Sequence, residues 1–173
     1  MNYSNILISQ ANETHHAMVA KTAAETFYET FRPYNTEEDI QAYIQKAYQL
    51  DLIKQQLESS NYVFFLAYFN NEVAGYAKLI PNSTYNGLIG NSIELEKIYV
   101  YAKFQGIGVA QELLNSCVDW SVQQHYNTLF LGVWQENKRA IRFYEKEGFT
   151  TFNTRTFQLG DRLCDDYMMK KTL

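Results

Sequence analysis

The stretch that most constrains this chain runs from Glu94 to Leu114 and reads Glu-Leu-Glu-Lys-Ile-Tyr-Val-Tyr-Ala-Lys-Phe-Gln-Gly-Ile-Gly-Val-Ala-Gln-Glu-Leu-Leu. Its first half alternates, with Leu95, Lys97 and Tyr99 expected on one side and Glu94, Glu96, Ile98 and Val100 on the other, which predicts a strand. Gln105-Gly106-Ile107-Gly108-Val109-Ala110 then sets two glycines one residue apart. After them the apolar positions Val109, Leu113, Leu114, Cys117 and Trp120 fall at helical spacing. A strand, a glycine turn and a helix in succession leave the first N–H groups of the helix without partners, at the positive end of its dipole. Such a place binds anions, and glycine lets a phosphate approach where a side chain would block it. No Gly-Lys-Ser/Thr follows and no Gly-x-Gly-x-x-Gly is present, which disfavours a nucleotide triphosphatase. Taken alone, the turn also reads as a plain strand-to-helix connection.

The rest of the chain places this unit within an α/β domain. Ile6 to Ile8 predicts a short strand, and Asn12, Glu13 and Thr14 a capped helix start running through Met18, Ala20, Ala23, Ala24 and Phe27 to Phe31, ended by Arg32-Pro33. Thr36 caps a second helix with three acids in its first turn, and a third covers Leu50 to Leu57. Tyr62 to Tyr68 and Val73 to Leu79 form a hairpin around Asn70-Asn71, followed by a polar loop from Pro81 to Asn91. Beyond the glycine helix, Thr128 to Trp134 is an interior strand. Asn137 opens a helix that stops at Gly148. Phe149 to Leu159 and Arg162 to Met169 close the chain around a Gly160-Asp161 turn. The 173 residues suit one domain, 1–173, with one mixed, mostly antiparallel sheet flanked by helices.

Composition narrows the function. The chain has no apolar run of membrane-spanning length, and its first residues lack the basic start and apolar core of a signal peptide, so a cytoplasmic location is expected with no membrane partner. A net charge of -4 argues against a nucleic-acid surface and favours cationic small partners. With two cysteines, Cys117 and Cys164, and no His15, His16 or His125 at ligand spacing, no metal site is expected. Aromatic residues make up 16% of the chain, enough for some to line a pocket against methylenes or an ammonium group.

The hexapeptide Gln105 to Ala110 matches the Gln/Arg-x-x-Gly-x-Gly/Ala loop that grips coenzyme A pyrophosphate in the GCN5-related N-acetyltransferases (GNAT family), and the order of elements resembles that family along nearly the whole chain. Leu-Glu-Lys-Ile-Tyr-Val, Gly-Val-Trp at 132–134 and Phe-Tyr-Glu-Lys-Glu-Gly-Phe are most similar to PaiA-type spermidine/spermine N-acetyltransferases. The resemblance implies acetyl-CoA as co-substrate and a primary amine, a polyamine, as acceptor, and it is compatible with a homodimer. It implies that Gln105, Gly106, Ile107, Gly108, Val109 and Ala110 bind the pyrophosphate. Backbone amides around Ile98, Tyr99 and Val100 polarise the acetyl carbonyl, on a strand that splays from its neighbour. Asn137 contacts the cofactor arm, although it reads equally as an N-cap. Tyr144 lies near the coenzyme A sulfur and protonates the departing thiolate. Glu96 is the candidate base. Two carboxylates at Glu94 and Glu96 read equally as a binding site for a cationic substrate, which Tyr28, Glu29 and Tyr34 would complete. Other acceptors, a protein or peptide amine or an aminoglycoside, stay open, as does a non-catalytic acyl-CoA-binding module.

Overall fold

The computed structural model describes residues 5–159 and 162–173. Its strands are β1 (Ile6–Gln10), β2 (Val63–Phe69), β3 (Glu72–Ile80), β4 (Ser92–Val100), β5 (Thr128–Trp134), β6 (Thr150–Leu159) and β7 (Arg162–Thr172). Its helices are α1 (His16–Phe31), α2 (Glu37–Ala47), α3 (Leu50–Glu58), α4 (Val109–Gln123) and α5 (Lys138–Lys146), with 3₁₀ turns at Glu13–His15 and Ala102–Phe104. The predicted elements are present, with β7 extending three residues past Met169. The predicted Gly160-Asp161 turn lies outside the described residues.

Local chemistry accounts for the boundaries. Asn12 accepts from Thr14 N–H, so the first helix opens with a 3₁₀ turn before α1. Thr36 accepts from Asp39 N–H at the start of α2, whose three leading acids complement its dipole. Asn70 and Asn71 both take positive φ, the requirement of a two-residue hairpin turn that matches strand twist.

The seven strands lie in the order β1-β2-β3-β4-β5-β7-β6, all antiparallel except β4 with β5. One face packs against α4 and α5 through Leu79, Ile93, Leu95, Leu113, Leu129, Leu131 and Met169. The other packs against α1 and α3 through Val19, Ala23, Ile53, Phe64, Leu66 and Tyr76, while α2 adds Ile40 against Phe27. Among the described residues no helix is long and apolar enough to cross a membrane.

Two irregularities in β4 position everything that follows. Lys97 pairs with Lys78 and Leu95 with Leu79, so Glu96 is an extra residue in β4, a bulge. This corrects the alternation expected from sequence. Leu95 packs in the same core as Ile98 and Val100, whereas Tyr99 packs beside Tyr76 on the opposite face. A bulge reverses the facing of every residue beyond it, because side-chain period along a strand is two. Second, β4 and β5 pair only at Ser92–Thr128, Ile93–Leu129 and Glu94–Phe130. From there to Val100 and Trp134 the strands share no ladder, and the β4 backbone groups that face β5 have no sheet partner.

Several phenols are buried in this architecture. Burial pushes Tyr48, Tyr76, Tyr99 and Tyr144 above the ordinary tyrosine value, although Lys97 pulls Tyr76 and Tyr99 partly back. A group whose folded-state pKa is raised contributes stability that is fully present below its unfolded value, about 10 for tyrosine, and is lost as pH climbs through the folded value. Unfolding is therefore expected to set in above about pH 10, with the buried phenols ionising in the same transition as the loss of helical circular dichroism. Phenolate absorbance that titrates fully while the dichroism stays intact would contradict this.

Candidate active site

The glycine turn follows the sequence expectation. Gly106 and Gly108 take φ of 82° and 100°, left-handed angles that L side chains rarely adopt, and Gly108 is the N-cap of α4. A Cβ on Gly106 would meet nothing within 4 Å, so the loop borders open space. Gln105 fixes the loop at both ends: its Nε2 donates to the Val100 carbonyl at 3.2 Å, and its Oε1 accepts from Arg139 at 2.6 Å. Arg139, on the first turn of α5, was not singled out in the sequence, since its contact spans 34 positions. Val109 is buried, Ala110 half-buried, and Gln105, Gly106 and Ile107 exposed. The loop thus sets left-handed glycines at the start of α4, beside β4 backbone at Ile98 to Val100 that pairs with β3 and has no partner on its β5 side, an arrangement that can accept an anionic group.

Asn137 acts as the N-cap of α5, its Oδ1 accepting from Ala140 N–H at 3.1 Å. Tyr144 lies on the same helix, buried against Phe143 and Phe149. Burial is the main cause that raises its pKa, with smaller contributions from Tyr99 and Cys117, so the phenol stays protonated at neutral pH.

On the opposite face of β4 lies a cavity of about 110 Å³. Its aromatic walls are Phe27 and Phe31 of α1, Tyr34, Tyr43, Tyr99 and Trp134; its polar groups include Glu96, Lys97, Arg155, Asp166, Asn35 and Cys164. Phe27 stacks on Tyr43 at 4.3 Å, and Tyr34 meets Trp134 edge-on at 4.9 Å. A second cavity of about 140 Å³ adjoins it, sharing Tyr43, Glu96 and Lys97.

The charges are arranged in pairs. Glu96 Oε2 sits 2.6 Å from Lys78 Nζ, close enough for an ion pair but without hydrogen-bond alignment. Lys78 also lies over the Tyr62 ring at 4.5 Å. Glu94 accepts from Ser83 at 2.9 Å and faces Arg155 at 3.5 Å, and Arg155 reaches Asp166 at 3.3 Å. Lys97 donates to the Tyr43 hydroxyl at 3.0 Å. Burial works against its charge, but Tyr99, Tyr43, Tyr76 and Glu96 outweigh it, leaving the ammonium above the ordinary lysine value.

Of the acceptor-side residues expected from sequence, Tyr34 and Glu96 line the first cavity, and Glu94 touches it only through Arg155. Tyr28 donates to Glu37 at 3.0 Å and Glu29 accepts from Ala102 N–H at 2.8 Å; neither lines the cavity. Sequence reasoning missed Lys97, Arg155 and Asp166.

The family model of the acetyltransferase (GNAT) family matches residues 23–149. An uncharacterized N-acetyltransferase from the pepI 3′ region of Lactobacillus delbrueckii subsp. lactis is 30% identical over 98% of this chain and 99% of its own length. Among solved structures, the PaiA N-acetyltransferase of Thermoplasma acidophilum in complex with coenzyme A is similar with a TM-score of 0.79 and 20% identity, covering 97% of this chain and 99% of that one. A ribosomal-protein-alanine N-acetyltransferase of Brucella melitensis is similar with a TM-score of 0.76 and 23% identity, covering 96% and 99%.

The Lys78–Glu96 pair yields a stability test, because its lysine side chain is only 11% exposed. Lys78→Met removes the cation and leaves a partly buried carboxylate behind, and is expected to cost roughly 3 kcal/mol, the low end for breaking a buried pair. Lys78→Met with Glu96→Gln should recover most of that loss in urea unfolding. Equal losses in the single and double variants would show that the lysine stem, not the charge, carries the stability.

Proposed function

The chain belongs to the acetyltransferase (GNAT) family and is an acetyl-CoA-dependent N-acetyltransferase; from that premise we propose how its residues perform the transfer and on which amine. The observation that carries the reading is the β4–β5 gap opening beside the Gln105 to Ala110 loop. Acetyl-CoA, when bound, supplies a thioester as acetyl donor and a thiolate as leaving group. Gly106, Ile107, Gly108, Val109 and Ala110 offer amides to the pyrophosphate, and Gln105 holds the loop to β4 and α5. Backbone N–H groups among Ile98, Tyr99 and Val100, free of β5, polarise the acetyl carbonyl. To Tyr144 falls the proton the thiolate needs, on its place in the helix that Asn137 opens; burial raises its pKa, which keeps the phenol protonated at neutral pH and makes it a weaker donor. Asn137 fixes the start of the helix that carries it.

Glu96 takes the proton from the acceptor amine, directly or through water. Glu96 pairs with Lys78 and lines the cavity. The acceptor we propose is a polyamine such as spermidine or spermine. Support comes from the wording of the motifs, from the structural likeness to the Thermoplasma PaiA protein, and from a cavity that joins six aromatic rings to two carboxylates. One observation favours a second reading, an acceptor that carries its own carboxylate, such as a peptide. Among the described residues no carboxylate lies within ion-pair distance of Lys97, whose ammonium lines the cavity.

Three outcomes are expected. Gly108→Glu sets a charged side chain at a left-handed position facing phosphate and should abolish coenzyme A binding in calorimetry, with the fold checked by dichroism. Tyr144→Phe should retain stability and coenzyme A affinity while kcat falls roughly a hundredfold to ten-thousandfold; a normal kcat would return Tyr144 to the core. Thiol release from acetyl-CoA should be fastest with spermidine or spermine in a panel with aminoglycosides, lysine peptides and N-terminal peptides. Fastest turnover of a carboxylate-bearing acceptor would establish the second reading instead.

A further inference from the structure

Three carboxylates lie near the acceptor cavity, and they differ in how firmly each is already held. Glu96 is 2.6 Å from Lys78, the separation of a tight ion pair. Glu94 accepts from Ser83 and does not line the cavity. Asp166 lines it, and the structure gives it one cation, Arg155, at 3.3 Å.

That cation is loosely seated. Charge-assisted hydrogen bonds of guanidinium to carboxylate run at about 2.7–2.9 Å, whereas Arg155 lies 3.3 Å from Asp166 and 3.5 Å from Glu94. Its Nε is buried without a partner, and 37% of its side chain is exposed. It occupies its position only because residue 132 is glycine: a Cβ there would sit 2.5 Å from Arg155 Nη2 and 3.2 Å from Asp166 Oδ2. Burial raises Asp166 above its ordinary value more than Arg155 and Lys97 lower it. Trp134 pairs with Asp166 across β5 and β7, and with Tyr34 it supplies aromatic walls for an alkylammonium chain beside that carboxylate.

We propose that Asp166 receives an ammonium group of the acceptor, and that Arg155, seated over Gly132, is the resident cation which the acceptor displaces. The proposal rests on the polyamine reading above and names the residue that selects for it. Arg155 keeps Glu94 as its partner when it leaves Asp166, so the exchange strands no charge. Asp166 thus acts in acceptor binding, with no part in proton transfer.

The exchange predicts opposite signs for two substitutions, read by steady-state kinetics with spermidine and by equilibrium binding of spermidine to the coenzyme A-loaded protein. Asp166→Asn, which keeps size and shape, should raise KM and Kd for spermidine about tenfold to a hundredfold, the range for losing a hydrogen bond to a charged group. Coenzyme A affinity and saturated kcat should stay within about threefold, the scatter of distant effects. Arg155→Gln removes the competitor and should lower KM and Kd. In Asp166→Asn/Arg155→Gln the benefit of the second change should disappear. Arg155→Lys, which retains a cation, separates loss of competition from loss of packing: its KM and Kd should lie closer to wild type than those of Arg155→Gln. If wild type takes spermidine but Asp166→Asn is unchanged, or Arg155→Gln weakens binding, the exchange is wrong and the polyamine reading stands. If wild type neither binds nor acetylates spermidine, both fall.

Discussion

Inserting Glu96 as an extra residue opposite β3 turns β4 over half-way along its length, and the two halves then serve different purposes. Before the bulge the strand is ordinary sheet, pairing with β5 at Ser92 to Glu94 and with β3 at Glu94 and Leu95. Beyond the bulge its apolar residues Ile98 and Val100 still reach the α4 core, while Lys97 and Tyr99 are delivered to the acceptor cavity. A bulge also bends its strand and increases local twist, and β4 parts from β5 directly after Glu94. Three features that the proposed transfer uses fall within five residues: backbone without a partner on the β5 side, a carboxylate at the cavity wall, and a gap between strands. Any residue type could supply the backbone donors, so the constraint lies in register more than in side-chain identity.

Register alone would leave a cluster of charges in a low-dielectric wall, where each isolated ion costs several kcal/mol. The structure meets this with three cations for three carboxylates near the cavity: Lys78, Lys97 and Arg155 against Glu94, Glu96 and Asp166. The pairs are unequal. Lys78 pairs with Glu96 and lies over the Tyr62 ring, which ties the bulged residue to β3. Lys97 is surrounded by phenols, with Tyr43 accepting its hydrogen bond and Tyr76 and Tyr99 close by. Neutral hydroxyls stabilise an ammonium without neutralising its charge, and Glu96 adds an attractive carboxylate nearby.

This division also explains what the sequence could and could not reveal. Periodicity and caps depend on neighbours three or four residues away, so Thr36, Asn137, Gly108 and the Asn70-Asn71 turn were legible directly. The facing of Lys97 was not, because a bulge is a property of two strands: Glu96 is extra only by comparison with Lys78 and Leu79. Arg155 and Asp166 lay in what read as a closing hairpin, and their place at the cavity follows from β7 inserting between β5 and β6. No local pattern signals that insertion. Tyr28 and Glu29 illustrate the reverse case, since helical position put them near the right region but their partners are Glu37 and the Ala102 N–H.

Glu29 nevertheless belongs to the physical account of the site. Successive residues advance about 100° around a helix, so Phe27 and Phe31 share one face of α1 while Glu25 and Glu29, two residues earlier in each case, point about 200° away. The first pair walls the acceptor cavity. The second holds the chain between β4 and the glycine loop: Glu25 accepts from the Tyr101 hydroxyl at 2.6 Å and Glu29 from Ala102 N–H at 2.8 Å. Burial, together with the bond to Glu25, pushes Tyr101 up to about 12, which keeps that donor protonated throughout the physiological range. From Ala102 the chain needs one 3₁₀ turn to reach Gln105, which is tied back to Val100 and across to Arg139. One helix therefore walls the cavity through Phe27 and Phe31 and, through Glu25 and Glu29, holds the segment that leads into the glycine loop, so the two proposed sites share α1 as a common support.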